Sequence, residues 1–379
     1  MDFTNLAGPA LYIHIPFCRA KCPYCGFYSV PIAGWDSSEL VDALIKELDQ
    51  YGLTTPPATI YIGGGSPSCL PPDQLYSLIK QINQRLNSPA EFTIEVNPAQ
   101  INAEQLRHLR ELGVNRLSIG AQSFNENDLK FLQRPYLPAQ IRNLVADARH
   151  VGFANISLDL IFAVPGSTID SWRSSLQAAI ELDIEHLSAY ALTYEKNTPL
   201  YDQVQKGQVN PVDEQTDLAM YELTIDLLEQ ADFEQYEISN FARSGFACRH
   251  NLTYWTSLPY IGLGPAAGSF FQGKRTSNIA DVARYLEAVD TGRTCFAEVH
   301  TPDPVTLACE TAVLMLRRRS GINLDLFQKQ TGYHALSLFD ETVAYYQKLE
   351  LLGVEPNRIY LTRRGLPIAD SILCDFAAP

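Results

Sequence analysis

The first half of the chain alternates short β-branched segments with longer segments of helical periodicity, and this alternation limits the folds that it can adopt. The predicted strands are Leu11–Ile15, Thr59–Ile62, Phe92–Val96, Arg116–Ile119, Ile156–Phe162 and His186–Leu192. The predicted helices between them are Ser38–Gln50, Asp73–Arg85, Ala103–Leu112, Ala139–Val151 and Ile169–Leu182. Parallel neighbouring strands need a crossover connection, so strand–helix units in series predict an α/β fold with a parallel sheet. Such units can form an open doubly wound sheet or a partial (β/α)6 barrel, and the site residues below favour the barrel.

The sequence changes character twice after these units, which predicts three parts. Residues 1–232 form the predicted barrel, and residues 233–300 form an extension rich in Gly, aromatic and loop residues. Residues 301–379 contain three predicted helices and then two short strands around a turn at Pro356-Asn357. Because this order is typical of a winged-helix-like domain, we expect one at the C-terminus.

The charge and the hydrophobic pattern argue against two kinds of partner. The formal net charge is −14, whereas nucleic-acid-binding proteins usually present a basic face. No apolar run approaches the roughly 18–20 residues that cross a bilayer. We therefore expect a cytoplasmic protein with no nucleic-acid partner and no integral membrane segment. The sequence does not indicate an oligomeric state.

Three of the eight cysteines, Cys18, Cys22 and Cys25, form a C-x3-C-x2-C loop after the first predicted strand. In a reducing compartment, clustered cysteines are more often metal ligands than disulfide partners. Zinc would require a fourth Cys or His at ligand spacing, and none is nearby in the sequence. Three thiolates can instead bind three irons of a [4Fe–4S] cluster. The fourth iron is then open to the amino and carboxylate groups of S-adenosylmethionine (SAM), and we expect both cofactors.

Polar residues lie at or near the carboxyl ends of the predicted strands, where α/β enzymes build their sites. The second strand runs into Gly63-Gly64-Gly65-Ser66-Pro67, a segment that either lets the backbone approach a ligand or simply makes a tight turn. The later strands contribute Glu95, Gln122, Asp159 and Tyr190. Acidic residues among them can accept hydrogen bonds from the ammonium and ribose hydroxyls of SAM. Arg134 can pair with its carboxylate.

Several motifs together resemble the oxygen-independent coproporphyrinogen III oxidase-like radical SAM family. The matching segments are Tyr12-Ile-His-Ile-Pro-Phe-Cys18 with Cys22-Pro-Tyr-Cys25, Gly63-Gly-Gly-Ser-Pro67, Glu95-Val-Asn-Pro98, Asn115-Arg-Leu-Ser-Ile-Gly-Ala-Gln-Ser-Phe124 and Asp159-Leu-Ile. The resemblance covers nearly the whole chain. It implies a partial (β/α)6 radical SAM barrel with a C-terminal helical domain. It also implies SAM contacts from Tyr12, Tyr24, Gly64, Gly65, Ser66, Glu95, Gln122, Arg134 and Asp159.

Within this family the chain is most similar to the HemW-type haem chaperones. The oxidases carry a fourth cysteine where this chain has Phe27, and they carry an N-terminal extension ahead of the first strand. The segment His250-Asn-Leu-Thr-Tyr-Trp255 resembles the HNxxYW motif of the chaperones. The resemblance implies a protein that binds haem and transfers it to an acceptor protein. The alternatives are oxidative decarboxylation of coproporphyrinogen III by a 5′-deoxyadenosyl radical, or a radical SAM reaction on another substrate.

The sequence does not identify the residue that binds haem iron. His250 is one candidate, with flat apolar surface offered by Tyr254 and Trp255, and Cys248 is a second, softer ligand. The alternative for His250 is a hydrogen-bonding role within the fold. His14, inside the first predicted strand, is expected to support the site or the core.

Overall fold

The structure, a computed structural model, describes residues 8–87 and 89–378. Its strands are β1 (Ala10–Ile15), β2 (Phe17–Cys18), β3 (Val30–Pro31), β4 (Thr59–Gly64), β5 (Glu91–Val96), β6 (Arg116–Gln122), β7 (Ile156–Phe162), β8 (His186–Ala191), β9 (Glu234–Gln235), β10 (Asn240–Ala242), β11 (Tyr260–Leu263), β12 (Gly268–Phe271), β13 (Lys274–Asn278), β14 (Phe296–His300), β15 (Ile322–Asn323), β16 (Leu352–Glu355) and β17 (Arg358–Leu361).

The α-helices are α1 (Ser37–Gln50), α2 (Pro72–Arg85), α3 (Ala103–Glu111), α4 (Glu126–Phe131), α5 (Pro138–His150), α6 (Ile169–Ile180), α7 (Pro199–Gln205), α8 (Glu214–Gln230), α9 (Arg249–Trp255), α10 (Val282–Asp290), α11 (Pro304–Leu316), α12 (Leu324–Thr331), α13 (Ala335–Leu338), α14 (Asp340–Lys348) and α15 (Ala369–Asp375). Short 3-10 turns occupy Pro67–Cys69 and Leu366–Ile368. Of the helices described here, none is long and apolar enough to cross a membrane.

The main sheet is mixed, with a parallel centre and antiparallel edges. Its order within the described residues is β14-β13-β12-β11-β1-β4-β5-β6-β7-β8-β10-β9. The strands from β11 to β8 run parallel to one another. All six predicted strands of the first half are confirmed as members of this parallel centre. β14 and β9 are opposite edges of the sheet, so the expected partial barrel is realised as a sheet that does not close on itself.

The helices that cover the sheet begin where side chains satisfy backbone N–H groups. Asp36 accepts a hydrogen bond of 2.9 Å from the N–H of Ser38 at the start of α1. Asn102 and Gln105 form a reciprocal capping box at the start of α3. Free N–H groups at a helix start need such acceptors, which makes these residues effective start signals. Between the helices and the sheet lies a continuous core of Leu, Ile, Val and Phe side chains.

Residues 233–300 are more regular than their Gly-rich, aromatic sequence suggests. They contribute β9 to β14, which extend both edges of the parallel centre. β11 pairs in parallel with β1, and β10 pairs antiparallel with β8. The close approach of Gly262 to Gly268 requires a residue without a side chain, because a Cβ on Gly262 would lie 2.2 Å from the carbonyl oxygen of Gly268. The division into parts at residues 232 and 300 stays a proposal, since these strands join the same sheet.

The C-terminal part has the predicted winged-helix-like order of elements. Helices α11, α12 and α14 are followed by the hairpin of β16 and β17. The hairpin joins the short strand β15 in a three-stranded sheet of order β15-β17-β16. Phe327, Phe339 and Phe376 are buried, and the rings of the last two lie 4.9 Å apart. These aromatic contacts tie α15 to the helices before it.

Candidate functional site

One cavity of about 1230 Å³ lies along the inward-facing residues of β4 to β8. Most of the predicted site residues line it together: Cys18, Cys22, Tyr24, Cys25, Gly64, Gly65, Ser66, Glu95, Gln122, Arg134 and Asp159. Ligand pockets for drug-sized molecules usually measure roughly 300–1,000 Å³. The cavity is therefore large enough for more than one small ligand.

The cysteine loop forms one wall of this cavity. All three thiols are free and partly exposed, as a ligand set for an incoming metal group requires. The backbone of the loop is ordered by a hydrogen bond of 3.2 Å from the N–H of Cys25 to the carbonyl of Cys22. Burial raises the pKa of Cys18 and of Cys25. No three Cys, His, Asp or Glu side chains in residues 8–87 and 89–378 converge on a point suited to a single metal ion.

The glycine segment at the end of β4 packs directly against β2, the strand that contains the first of the three cysteines. Gly64 has a φ of +111°, a conformation that side chains strongly disfavour. A Cβ on Gly65 would lie 2.5 Å from the carbonyl oxygen of Phe17 and 3.0 Å from the Sγ atom of Cys18. The N–H of Ser66 donates to the same carbonyl at 2.8 Å. The glycines thus permit a close contact that fixes the cysteine loop relative to β4.

Two partly buried carboxyl groups, Glu95 and Asp159, face the cavity from β5 and β7. Glu95 accepts hydrogen bonds from the Tyr61 hydroxyl at 2.9 Å and from the N–H of Gly64 at 3.2 Å. Burial, together with the nearby charge of Asp159, raises the pKa of Glu95 to about 7. Burial also raises the pKa of Asp159, whose two carboxylate oxygens lie 3.3 and 3.2 Å from the Ser118 hydroxyl and share its hydrogen bond. A cation in the cavity would stabilise both ionised forms, so this acidic pair fits a ligand such as SAM.

Arg134 and Tyr24, which also line the cavity, form a second polar pair. The Tyr24 hydroxyl accepts a hydrogen bond of 3.0 Å from Nε of Arg134 and a shorter one from its NH2 group. The guanidinium also lies 5.6 Å from the centre of the Tyr24 ring. Gln122 ends β6 with a φ of +63°, at an irregularity in its pairing with β7. Strained backbone of this kind is common at functional sites, and Gln122 lines the cavity.

The structure does not place Tyr12 and His250 among the residues that line the cavity. The Tyr12 hydroxyl instead lies 2.9 Å from Nδ1 of His14, and its role as a direct SAM contact stays a prediction. His250 is 1% exposed, and its ring nitrogens lie 2.8 Å from the Thr59 hydroxyl and 2.7 Å from the Tyr254 hydroxyl. Because both nitrogens already have partners, His250 has no free position for haem iron in this arrangement.

The HNxxYW segment forms α9, which seals the wall beside β4 and β5. The carboxylate of Glu91 accepts hydrogen bonds of 2.9 Å from the N–H groups of Arg249 and His250. The Tyr254 ring packs edge-on against His250 with centres 4.9 Å apart. Cys248 is fully buried, and burial raises its pKa to about 12, so its thiol is not presented as a ligand. Of this segment, Asn251 reaches the cavity.

Several lining residues were not predicted from the sequence: Tyr61, Arg116, Ser118, His186, Asn251 and Arg317. The alternation of a strand carried a signal for two of them. Arg116 and Ser118 precede Gln122 at even spacing on β6, so they face the same side. Asn251 belongs to the HNxxYW motif, in which His250 was the predicted ligand. Nothing local in the sequence brings Arg317 to this cavity, because it arrives from the C-terminal part.

Four large apolar side chains that are partly or largely exposed also line the cavity. They are Phe27 at 72%, Tyr190 at 42%, Leu218 at 41% and Ile368 at 45% exposure. They come from the cysteine loop, β8, α8 and the turn before α15. Apolar groups gathered at the edge of a cavity are unfavourable in water and mark a binding surface. The surface suits a ligand with a broad apolar face.

Comparison with known proteins agrees with this fold and site. The Radical SAM superfamily model matches residues 12–179, and the HemN C-terminal domain model matches residues 303–368. The fold and the cysteine-lined cavity thus define a radical SAM protein, a class that implies SAM and a [4Fe–4S] cluster as cofactors. Among solved structures, coproporphyrinogen III oxidase (HemN) from Escherichia coli has a TM-score of 0.85 at 23% identity. It covers 98% of this chain and 90% of that chain, which shows a common fold.

Curated relatives narrow the class to one family. Heme chaperone HemW of Bacillus subtilis (strain 168) is 34% identical over 371 residues, covering 96% of this chain and 98% of that protein. Heme chaperone HemW of Lactococcus lactis subsp. lactis (strain IL1403) is 32% identical over 367 residues, covering 96% of each chain. The chain therefore belongs to the HemW family of radical SAM proteins.

Proposed function

We propose that this chain is a haem chaperone that binds haem beside a SAM-ligated [4Fe–4S] cluster and passes the haem to an acceptor protein. The observation that carries the proposal is the continuity of the cavity, which joins the cysteine loop to the apolar surface of Phe27, Tyr190, Leu218 and Ile368. A haem macrocycle has the broad apolar faces that such a surface suits. The names of the curated relatives support the same function.

In this proposal the cysteines and the carboxyl groups divide the binding of the cofactors. Cys18, Cys22 and Cys25 would bind three irons of the cluster, and the glycine segment would admit SAM beside it. Glu95 and Asp159 would face the cationic parts of SAM, and the cation would stabilise the ionised carboxylates, which burial disfavours when no cation is present. When bound, a reduced cluster supplies an electron for cleavage of SAM. We place the protein in the cytoplasm, where reducing conditions keep thiols available for metal.

The second candidate function is oxidative decarboxylation of coproporphyrinogen III, which the fold of HemN suggests. Phe27 favours the chaperone, because it occupies the position of the oxidases' fourth cysteine and is 72% exposed within the cavity. An exposed phenyl ring is a binding surface for an apolar ligand and offers no acid, base or ligand for chemistry. The axial ligand of the haem iron is left unassigned, since both nitrogens of His250 have partners.

The test of this proposal is haem binding by a pair of matched variants. Leu218 lines the cavity, whereas Leu336 does not. Both leucines lie on helices, and both are 41% exposed. In Leu218→Asp, a charge faces the proposed macrocycle, so the Kd for haem should rise about 10-fold or more, in keeping with roughly 1.5–3 kcal/mol for removing a buried apolar contact. Leu336→Asp should bind haem like the unaltered protein. Titration of haem absorbance on the anaerobically reconstituted full chain measures both.

Transfer is tested on the same preparations with an apo-globin as the acceptor. The haem-loaded chain should lose its haem to the globin at a rate that rises with globin concentration, which direct transfer requires. A rate that is independent of globin concentration would indicate simple dissociation, and it would contradict a chaperone role. Equal haem affinity in Leu218→Asp and Leu336→Asp would show that haem binds outside this cavity.

A further inference from the structure

Gln100 follows β5 and is hydrogen-bonded to two serines of the turn after β4. The Ser66 hydroxyl donates a hydrogen bond of 2.8 Å to Oε1 of Gln100, and the Ser68 hydroxyl donates to the same oxygen at 3.2 Å. The N–H of Asn97 in turn donates to the Ser68 hydroxyl at 3.1 Å. Gln100 and Ser66 both line the cavity. The Gln100 amide therefore belongs to the site, although it lies outside the motifs described above.

The Ser66 hydroxyl does not make the backbone contact that is usual for a serine in its position. Ser66 precedes the 3-10 turn Pro67–Cys69, and its side chain accepts no hydrogen bond from the N–H groups of that turn. A serine at the start of a helix normally accepts such a bond. A hydroxyl has one hydrogen and two lone pairs. The hydrogen goes to Gln100, and in the part of the chain that the structure describes only the Ser68 hydroxyl, 3.2 Å away, can donate to Ser66. One lone pair of Ser66 is thus left for a ligand.

Ser66 lies beside the first cysteine of the loop. Its N–H donates at 2.8 Å to the carbonyl of Phe17, the residue that precedes Cys18. A Cβ on the neighbouring Gly65 would lie 3.0 Å from Sγ of Cys18. The part of SAM that reaches Ser66 is therefore the methionyl end, which binds the open iron of the cluster. That end carries an amino group, which can donate a hydrogen bond, and a carboxylate, which can only accept one.

We propose that Gln100 is a positioning residue that makes Ser66 a hydrogen-bond acceptor for the amino group of SAM. Oε1 of Gln100 takes the hydroxyl hydrogen, so Ser66 does not donate it to the SAM carboxylate. The amide thereby fixes which of the two methionyl groups faces the turn after β4, and it leaves the carboxylate to a cationic donor such as Arg134. This role rests on the SAM-ligated cluster of the proposed function and is independent of haem.

The test compares SAM with two analogues, one without the amino group and one without the carboxylate, on the full chain with its cluster reconstituted. Isothermal titration gives the Kd of each, and hence a preference for each methionyl group. The unaltered protein should prefer SAM to both analogues. Gln100→Met keeps the length of the side chain without its amide. It should lower the preference for the amino group about 10-fold, the scale of one hydrogen bond to a charged group, and should leave the preference for the carboxylate unchanged.

Three further variants separate positioning from a merely structural role. Gln100→Glu keeps an acceptor for the Ser66 hydroxyl, so it should restore the preference for the amino group. In a Ser66→Ala background, Gln100→Met should cause no further loss, because the amide acts through that hydroxyl. Gln81→Met is the matched control and should keep both preferences. Gln81 also hydrogen-bonds a serine hydroxyl, that of Ser77 at 3.3 Å, but it does not line the cavity.

Four results would overturn this role of Gln100. They are an unchanged preference for the amino group in Gln100→Met, a loss of the preference for the carboxylate in its place, a further loss in the Ser66→Ala background, or an equal loss in Gln81→Met. If Gln100→Met has a lowered iron content, Gln100→Ala replaces it with the same expected results. SAM binding without any preference for the amino group would overturn the positioning role alone. Failure of the unaltered, iron-loaded protein to bind SAM would refute the SAM-ligated cluster of the proposed function, and the positioning role with it.

Discussion

The affinity for SAM should depend on pH with a midpoint near 7 if Glu95 faces the cationic part of that ligand. Burial, with the neighbouring charge of Asp159, raises the pKa of Glu95 to about 7. The affinity should rise with pH, because a cation stabilises the ionised form of Glu95. Affinity should therefore follow the ionised fraction of Glu95, which rises from about one tenth at pH 6 to about nine tenths at pH 8. The expected gain in affinity across this range is about 10-fold.

Glu95→Gln should remove this rise and weaken binding at pH 8 by about 10- to 100-fold, because the amide cannot supply the charge-assisted contact. Isothermal titration of SAM into the reconstituted protein at pH 6, 7 and 8 measures both effects. The titration of SAM itself affects both proteins equally. The difference between the pH profiles of the unaltered protein and of Glu95→Gln therefore reports the contribution of Glu95. Asp128→Asn is the matched control, because burial raises the pKa of Asp128 as it does that of Glu95, but Asp128 does not line the cavity. A flat profile in the unaltered protein, or an undiminished rise in Glu95→Gln, would refute the reasoning.

Three further changes test other parts of the site. Gly65→Ala places a Cβ 2.5 Å from a backbone carbonyl, so it should cost about 1–3 kcal/mol of stability and lower the iron content; Gly268→Ala, where the nearest atom is 3.8 Å away, should do neither. His250→Ala should lower the free energy of unfolding by about 2–4 kcal/mol yet keep haem affinity, and a lost haem spectrum in a fully stable variant would restore His250 as a ligand. Tyr24→Phe removes the acceptor of Arg134 and should lower stability by about 1–3 kcal/mol in chemical denaturation, whereas no loss would mean that the guanidinium finds another partner.

The sequence was most informative where periodicity and burial agree. The strands from β1 to β8 in the parallel centre were predictable because buried parallel strands read as β-branched runs separated by helical segments. The edges were less predictable, because β11 joins β1 across about 250 residues of chain and no local pattern encodes that pairing. The short strands β12 to β14 lie in the part predicted to be rich in loop residues. Their glycine and polar residues do not give the pattern that is typical of a strand.

Within the site, the sequence predicted the residues that carry recognisable chemistry and missed those placed by the fold. The cysteines, the glycines and Glu95 stand out by type and spacing, and the structure gathers them around one cavity. His250 had the right residue type, but one of its hydrogen-bond partners, Thr59, comes from a distant segment that no spacing reveals. Arg317 reaches the cavity only through the packing of the C-terminal part. Side-chain direction and long-range contact decide such cases, and neither is written in the local sequence.

The proposal on which the others rest is that this cavity carries haem and does not oxidise a porphyrinogen. It is tested most directly by adding haem and coproporphyrinogen III, in separate assays, to one anaerobically reconstituted preparation with SAM and a reductant. We expect stoichiometric haem binding and no decarboxylated product. Turnover of coproporphyrinogen III at enzymic rates, with or without haem binding, would contradict it.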